Sequence, residues 1–295
     1  MVLQTTSIDS GIRNIQIDTY KESLYKMKKL VICFKTMTVF MLLCILPSTA
    51  KAQQCKVHVT EQGTLAQVLA DSMVYAPEEL AISGYIDSED IALLNKMMGS
   101  REYPYLFSKM GMDDVPASLK RLDLSEAKIM AGRNLFNLND KDTEQFRDPK
   151  LPFYTRKGVI EGDTYLYNMF YDCPLLESVS LPRNLQRVEG CGIGGFYNVK
   201  NLVFPSGTEY VYYGTGREER IELPETIDSI GQLFGSPHLR EVICHSPEPP
   251  AVIPLDAEWN IVAECTLYVP KGSIEKYQND IHWKKFSSIL SVEDK

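Results

Sequence analysis

The chain has 295 residues, 44% hydrophobic and 24% charged, with a formal net charge of −8. That composition supports a sizeable core in one or two domains and argues against a disordered chain or a multi-pass membrane protein. The acidic balance repels phosphate backbones and anionic lipid, so a nucleic-acid partner is not expected.

The first 52 residues read apart from the rest. Residues 1–26 are polar and precede a second methionine, Met27, and are expected to be a misassigned or non-native extension. Residues 27–52 have the order of a secretory signal peptide. Lys28, Lys29 and Lys35 are basic, 37–46 is an uncharged apolar run, Pro47 breaks it, and Ala50 and Ala52 supply the small-x-small cleavage pattern. The apolar run is too short to cross a bilayer as a stable helix. Export is therefore predicted, with a mature chain from about Gln53, no transmembrane segment in it, and residence outside the cell, on its surface or in the periplasm. The prefix holds seven basic and three acidic side chains, which leaves 24 basic and 36 acidic, a net charge of −12. Five cysteines remain: Cys55, Cys173, Cys191, Cys244 and Cys265. An odd count cannot pair fully within one chain and is too sparse for a disulfide scaffold. Gln53 and Gln54 before Cys55, and Leu42 and Leu43 before Cys44, are poor neighbours for lipid attachment.

Residues 53–118 are predicted to form an N-terminal capping region. Its elements are a strand at 56–60, a helix at 65–73, a strand at 79–83 and a helix at 89–98 capped by Asp87 or Ser88. Residues 119–250 carry repeats, with an irregular insertion at about 130–160. Residues 251–295 form a C-terminal cap. Its last strand is expected at 267–269, followed by a helix at 274–279 capped by Ser273, with Trp283 and Phe286 packing down.

The repeats are the strongest signal. Leu176, Val179, Leu181 and Pro182 align with Val199, Leu202, Phe204 and Pro205, and with Glu218, Ile221, Leu223 and Pro224. Leu239, Val242 and Cys244 follow, with Pro247 two residues late, and Leu119, Leu122 and Leu124 form a copy without the proline. The first three prolines are 23 and 19 residues apart. The apolar-x-x-apolar-x-apolar pattern is interrupted only by Glu218. Its last two apolar positions alternate as in a strand, and stacked copies would share one core and a parallel sheet. After each proline a second apolar set lines an opposite wall: Leu185 and Val188, Val211 after Thr208, and Ile227 and Ile230. Phe170, Phe196 and Phe234 are expected to fill the corners.

From Phe170 through Cys173, Leu176, Val179 and Leu181 to Pro182, the chain resembles the repeat of BspA-like leucine-rich-repeat proteins of Bacteroidetes-type bacteria. Residues 63–65 and 80–91 are similar to the segment preceding the repeats in that family. Pro249 and Pro250, residues 265–273, Tyr277, Trp283 and Phe286 are similar to the segment closing them. The resemblance spans nearly all of 53–295. It implies an α/β, β-rich leucine-rich-repeat solenoid with a parallel sheet, a short N-terminal α/β cap and a C-terminal strand-helix cap. It also implies an exported or surface protein that binds partners, in some members host matrix proteins, without catalysis. The chain departs from longer members in its few repeats, its insertion, and the lack of an evident surface-sorting domain up to Lys295.

Chemistry-bearing motifs are sparse. The four histidines form no His-x-x-x-His pair, and no Cys-x-x-Cys pair, Gly-x-Ser-x-Gly elbow or phosphate-binding loop is present, so no catalytic residue, cofactor or metal is assigned. Residues 190–195 are glycine-rich but fall at an expected repeat corner. Residues 139–144 are acidic but lack the glycine and distal glutamate of an EF-hand loop. Cys244 and His245 are adjacent on a strand and point to opposite faces. Pairing of Cys244 with Cys265 across neighbouring strands stays open.

The candidate binding face consists of the outward strand residues Arg121, Asp123, Ser178, Ser180, Asn201, Val203, Arg220, Glu222, Glu241 and Ile243. Tyr210, Tyr212 and Tyr213 form a second candidate surface. The leading expectation is an adhesin-like module for a protein or glycan at the cell exterior. A secreted glycan-binding or glycan-cleaving protein and a structural envelope component are the alternatives.

Overall fold

Two turns recur along the repeats, and the Leu176 and Val199 copies use both. The amide of a copy's first apolar residue donates to the carbonyl three residues earlier, Leu176 to Cys173, Val199 to Phe196 and Leu239 to Ser236, each at 3.2 Å. After the strand, the proline carbonyl accepts from the residue three on: Leu185 to Pro182 at 3.1 Å, Thr208 to Pro205 at 2.9 Å and Ile227 to Pro224 at 3.3 Å. Proline lacks an N–H and holds φ near −65°, so it ends one strand and starts the turn toward the next.

The computed structural model describes residues 21–29, 55–74, 76–101, 104–130, 132–133, 159–160, 165–167, 170, 172–189, 196–212, 217–231, 236–253 and 259–295. The predicted leader from 30 to 52, the acidic run 139–144, the glycine-rich 190–195, Tyr213 and Phe234 lie outside these residues.

Helix α1 covers 21–29. The strands are β1 Cys55–Val59, β2 Glu79–Ile86, β3 Arg121–Ile129, β4 Gly132–Arg133, β5 Val159–Ile160, β6 Tyr165–Tyr167, β7 Ser178–Ser180 and β8 Arg187–Glu189. They continue with β9 Asn201–Val203, β10 Tyr210–Tyr212, β11 Arg220–Leu223, β12 Ser229–Gly231, β13 Glu241–Cys244, β14 Ala251–Val252, β15 Thr266–Val269 and β16 Ser288–Ser291. Between them lie the short helices α2 Leu65–Asp71, α3 Ser88–Met97, α4 Pro104–Lys109 and α5 Ile274–Asn279.

The protein is α/β, built mainly from parallel sheets with few helices. One sheet runs β1-β2-β3-β7, a second β6-β8-β10-β12-β14, and a third β9-β11-β13-β15-β16, while β4 and β5 form an antiparallel pair. Each copy from β7 onward thus sends one strand to one wall and the next strand to the opposite wall. The single continuous sheet expected from the pattern is instead divided. β7 ladders onto β3, whereas β9 lies beside β7 but ladders onto β11.

Register places the apolar positions together. Leu202, Ile221, Val242 and Leu267 are partners across the third sheet, and each is fully buried. Val188, Val211 and Ile230 do the same across the second, and Phe170 and Phe196 meet at a corner with ring centroids 6.1 Å apart. Burying each such aliphatic side chain contributes about 1.5–3 kcal/mol before chain entropy is counted. Glu218, at the position where other copies carry Leu or Val, is also buried.

At the N-terminal end Asp87 caps α3, accepting from the amides of Glu89 and Asp90, while Asp90 reaches back to the Asp87 amide in a capping box. Asp90 does more than complete the box. Its carboxylate also accepts from Gly63 N at 2.8 Å and Leu65 N at 2.9 Å, tying the start of α2 to α3. Burial, aided by the nearby Asp87 charge, pushes the Asp90 carboxyl up to about 7. The folded chain then holds this proton more tightly than the unfolded chain. Stability from this group is full below about pH 4 and is lost as pH rises through about 7. Chemical denaturation at pH 5 and pH 8 should show the higher midpoint at pH 5. In Asp90→Asn the midpoint should be lower at pH 5, through lost acceptor capacity, and its fall between pH 5 and pH 8 should shrink to the part that burial of Asp87 and Glu89 supplies. An unchanged slope in that variant would rule out Asp90 as its source.

Part of the prefix set aside by the sequence reading packs onto this end. Leu24 and Met27 of α1 are 1% exposed, the Ser23 hydroxyl bonds the Gln67 side chain, and Lys28 pairs with Asp114 at 3.1 Å. Helix α4, which the pattern did not suggest, buries Leu106 and Phe107 nearby.

The C-terminal end departs from expectation in two ways. Thr266–Val269 is not the last strand, because β16 pairs with it in register from Ser288 to Ser291. Ser273 does not cap α5 through its side chain, whose hydroxyl instead donates to the Pro247 carbonyl at 2.8 Å. Trp283 and Phe286 do pack down. Trp283 meets Tyr277 edge-on at 5.2 Å and stacks on Phe286 at 5.8 Å, and its Nε1 donates to the Pro250 carbonyl at 2.9 Å.

Register also decides the open cysteine question. Ile243 pairs with Tyr268 and Glu241 with Thr266, so Cys244 and Cys265 sit about four residues apart along neighbouring strands. At about 3.3 Å per residue that offset is roughly 13 Å, well beyond disulfide reach. Both are thiols, and burial raises Cys244 to about 11 and Cys265 to about 12. Among the described residues no helix is long and apolar enough to cross a membrane.

Candidate binding face

The outer face of the third sheet follows from strand alternation. With Leu202, Ile221, Val242 and Leu267 turned inward, the residues on either side point out. One outward row is Asn201, Arg220, Glu241, Thr266 and Ser288, and the next is Val203, Glu222, Ile243, Tyr268 and Leu290. Five of the predicted face residues therefore share rows as expected: Asn201, Val203, Arg220, Glu222 and Glu241. Ile243 shares the row too, but it is 3% exposed and presents almost no surface. Arg121, Asp123, Ser178 and Ser180 belong to the first sheet. There Arg121 pairs with Glu79 and, at 3.6 Å, with Glu177. The Asp123 carboxylate accepts from Ser125 N at 2.9 Å, where β3 carries a bulge. Ser178 and Ser180 are exposed.

A charge network occupies the centre of the third sheet's face. Arg220 donates a hydrogen bond to Glu222 at 2.7 Å and pairs by charge alone with Glu241, whose carboxylate lies 3.0 Å from its Nε. His245 Nε2 lies 2.8 Å from Glu222, and Lys295 pairs with Glu241 while sitting 4.7 Å above the Tyr268 ring. Two cations meet two carboxylates, so the centre is neutral apart from any charge on His245. At this exposure each pair contributes about 0–1 kcal/mol, and the network orders the surface more than it stabilises the fold. At the two ends of the outer row, Val203 and Leu290 are 50% and 45% exposed. Four strand spacings of about 4.8 Å separate them by roughly 19 Å.

No protein-family model matches this chain, and no curated protein matches it either. The site rests on geometry alone.

Sequence reasoning missed His245, Tyr268, Leu290 and Lys295 on this face. Tyr268 was within reach, since it alternates with Leu267 and Val269. Leu290 and Lys295 depend on β16, which lies outside the repeat. Of the second candidate surface, Tyr210 is 5% exposed beneath Arg187, and Tyr212 packs over Gly231, where a Cβ would lie 2.3 Å from the ring. Among the described residues no three His, Cys, Asp or Glu side chains converge to hold a metal ion.

Proposed function

We propose that this chain is an exported leucine-rich-repeat solenoid of the BspA-like kind that acts as an interaction module, with the outer face of the third sheet taking a protein partner outside the cell. The observation carrying this reading is an outer parallel-sheet face with exposed Val203 and Leu290 at its two ends. Parallel sheets are ordinarily covered on both sides, and repeat proteins leave one side open for binding. The recurring turns of the Leu176 and Val199 copies support the repeat reading, and the basic, apolar, small-residue order over 28–52 supports export, with cleavage after Ala52 releasing α1 from the N-terminal end that it covers.

The spacing describes the partner. An extended segment rises about 3.3 Å per residue, so side chains six apart share a face and span roughly 20 Å. Such a segment, laid across the strands with apolar side chains at both ends and uncharged polar ones between, meets Val203, the neutral centre and Leu290 in turn. A strongly charged centre would find its counterions already engaged.

The test is binding of the purified protein to an array of host matrix proteins. A saturable hit is expected, weakened about 10-fold or more by Val203→Asp with Leu290→Asp, since each aspartate places a charge in a desolvated contact. Replacing Arg220 and Glu222 together by alanine should also weaken it. Absence of any hit would overturn the adhesin reading and favour a structural role in the envelope.

A further inference from the structure

The opposite wall carries a concavity that the binding-face reading does not use. It is an open groove of about 420 Å³ lined by Arg187, Glu209, Tyr210, Thr226, Asp228 and Ser229. That volume lies in the lower part of the range of about 300–1,000 Å³ typical of small-molecule sites. The repeat builds it. Arg187, Tyr210 and Ser229 occupy one register row on β8, β10 and β12, while Glu209 and Asp228 are the residues just before Tyr210 and Ser229. The amides of Asp228 and Ser229 donate to the Glu209 carbonyl at 2.8 and 3.2 Å, which holds the turns together. The Arg187 guanidinium lies 4.7 Å from the Tyr210 ring centre. The Thr226 hydroxyl donates to the Ser206 and Thr208 carbonyls, both at 2.8 Å, and keeps its oxygen lone pairs as acceptors.

We propose that this concavity binds a neutral saccharide. The lining selects against the other common ligand classes. Two carboxylates repel a phosphate or sulfate. A purely apolar ligand would desolvate both carboxylates and the guanidinium without replacing their hydrogen bonds. Among the described residues no three-ligand set converges for a metal. A polyol suits this mixed lining of carboxylates, hydroxyls and a guanidinium. Its hydroxyls donate to Glu209 and Asp228 and accept from Arg187.

The experiment titrates the full-length protein separately with lactose, maltose and cellobiose, followed by saturation-transfer NMR and calorimetry. At least one disaccharide is expected to bind saturably. Asp228→Asn, which keeps the side chain's shape, and Arg187→Ala should each weaken it about 10-fold or more, as expected for a lost hydrogen bond to a charged group. The Val203→Asp, Leu290→Asp double variant should bind the sugar normally, which separates this site from the protein-binding face. No saturable signal from any of the three sugars overturns the proposal, as does binding indifferent to Asp228→Asn. So does an Asp228-dependent heat with calcium chloride alone, which would make this a cation site.

Discussion

Replacing Gly84 by alanine should destabilise the protein by about 3 kcal/mol or more and lower its melting temperature by roughly 6–12 °C. Gly84 lies within β2 at φ +89°, a conformation that L-residues with a Cβ avoid. The more severe obstacle is steric. A Cβ there would lie 2.0 Å from the Val59 carbonyl oxygen on the partner strand. That atom is backbone and cannot rotate aside, so the β1–β2 ladder must part at its last pair. Gly207 provides the control, because a Cβ there would have nothing closer than 3.7 Å. Thermal melts of Gly84→Ala and Gly207→Ala should differ sharply. Equal melting temperatures would mean that β1 and β2 do not meet in this register.

Trp283→Ala should cost about 3–5 kcal/mol, the range for emptying a large buried aromatic site. The indole is fully buried, joins Tyr277 to Phe286, and spends its N–H on the Pro250 carbonyl. Its loss removes the contact that holds the chain after β15 against the segment before it. Trp283→Phe keeps a ring but leaves that carbonyl without its donor, and should cost about 1–2 kcal/mol. Hydrogen exchange gives the location. In the alanine variant the amides of β15 and β16 should lose protection before those of β9 and β11. Uniform loss along all four strands would show instead that this end is not a separate cooperative unit.

The repeat strands were legible because alternation fixes which side chains face inward. Val179, Leu202, Ile221 and Val242 follow that rule, and so do Val188, Val211 and Ile230 on the other wall. Asp87 was legible as a cap because a short acceptor before an amphipathic run satisfies exposed helix amides. Alternation says nothing about which strand ladders onto which, so the break between β7 and β9 could not be read. It also gives direction without cover. Ile243 points outward as expected, yet its neighbours on the face enclose it. β16 was missed because Ser288, Ile289, Leu290 and Ser291 lack the preceding repeat spacing and the closing proline. The role of α1 is hidden by its position, since Leu24 and Met27 adjoin a leader-like segment and no repeat spacing ties them to the core.

The alternation of strands between two walls has a consequence for how such a chain can vary. One copy supplies a strand to each wall, so inserting or deleting a whole copy of about 20 residues lengthens or shortens both surfaces by one strand spacing, about 4.8 Å. Every remaining residue keeps its register. A change of half a copy would exchange the walls for everything downstream. Duplication in whole units can therefore extend the reach of the face and the number of grooves behind it together, while point substitutions adjust what each one holds.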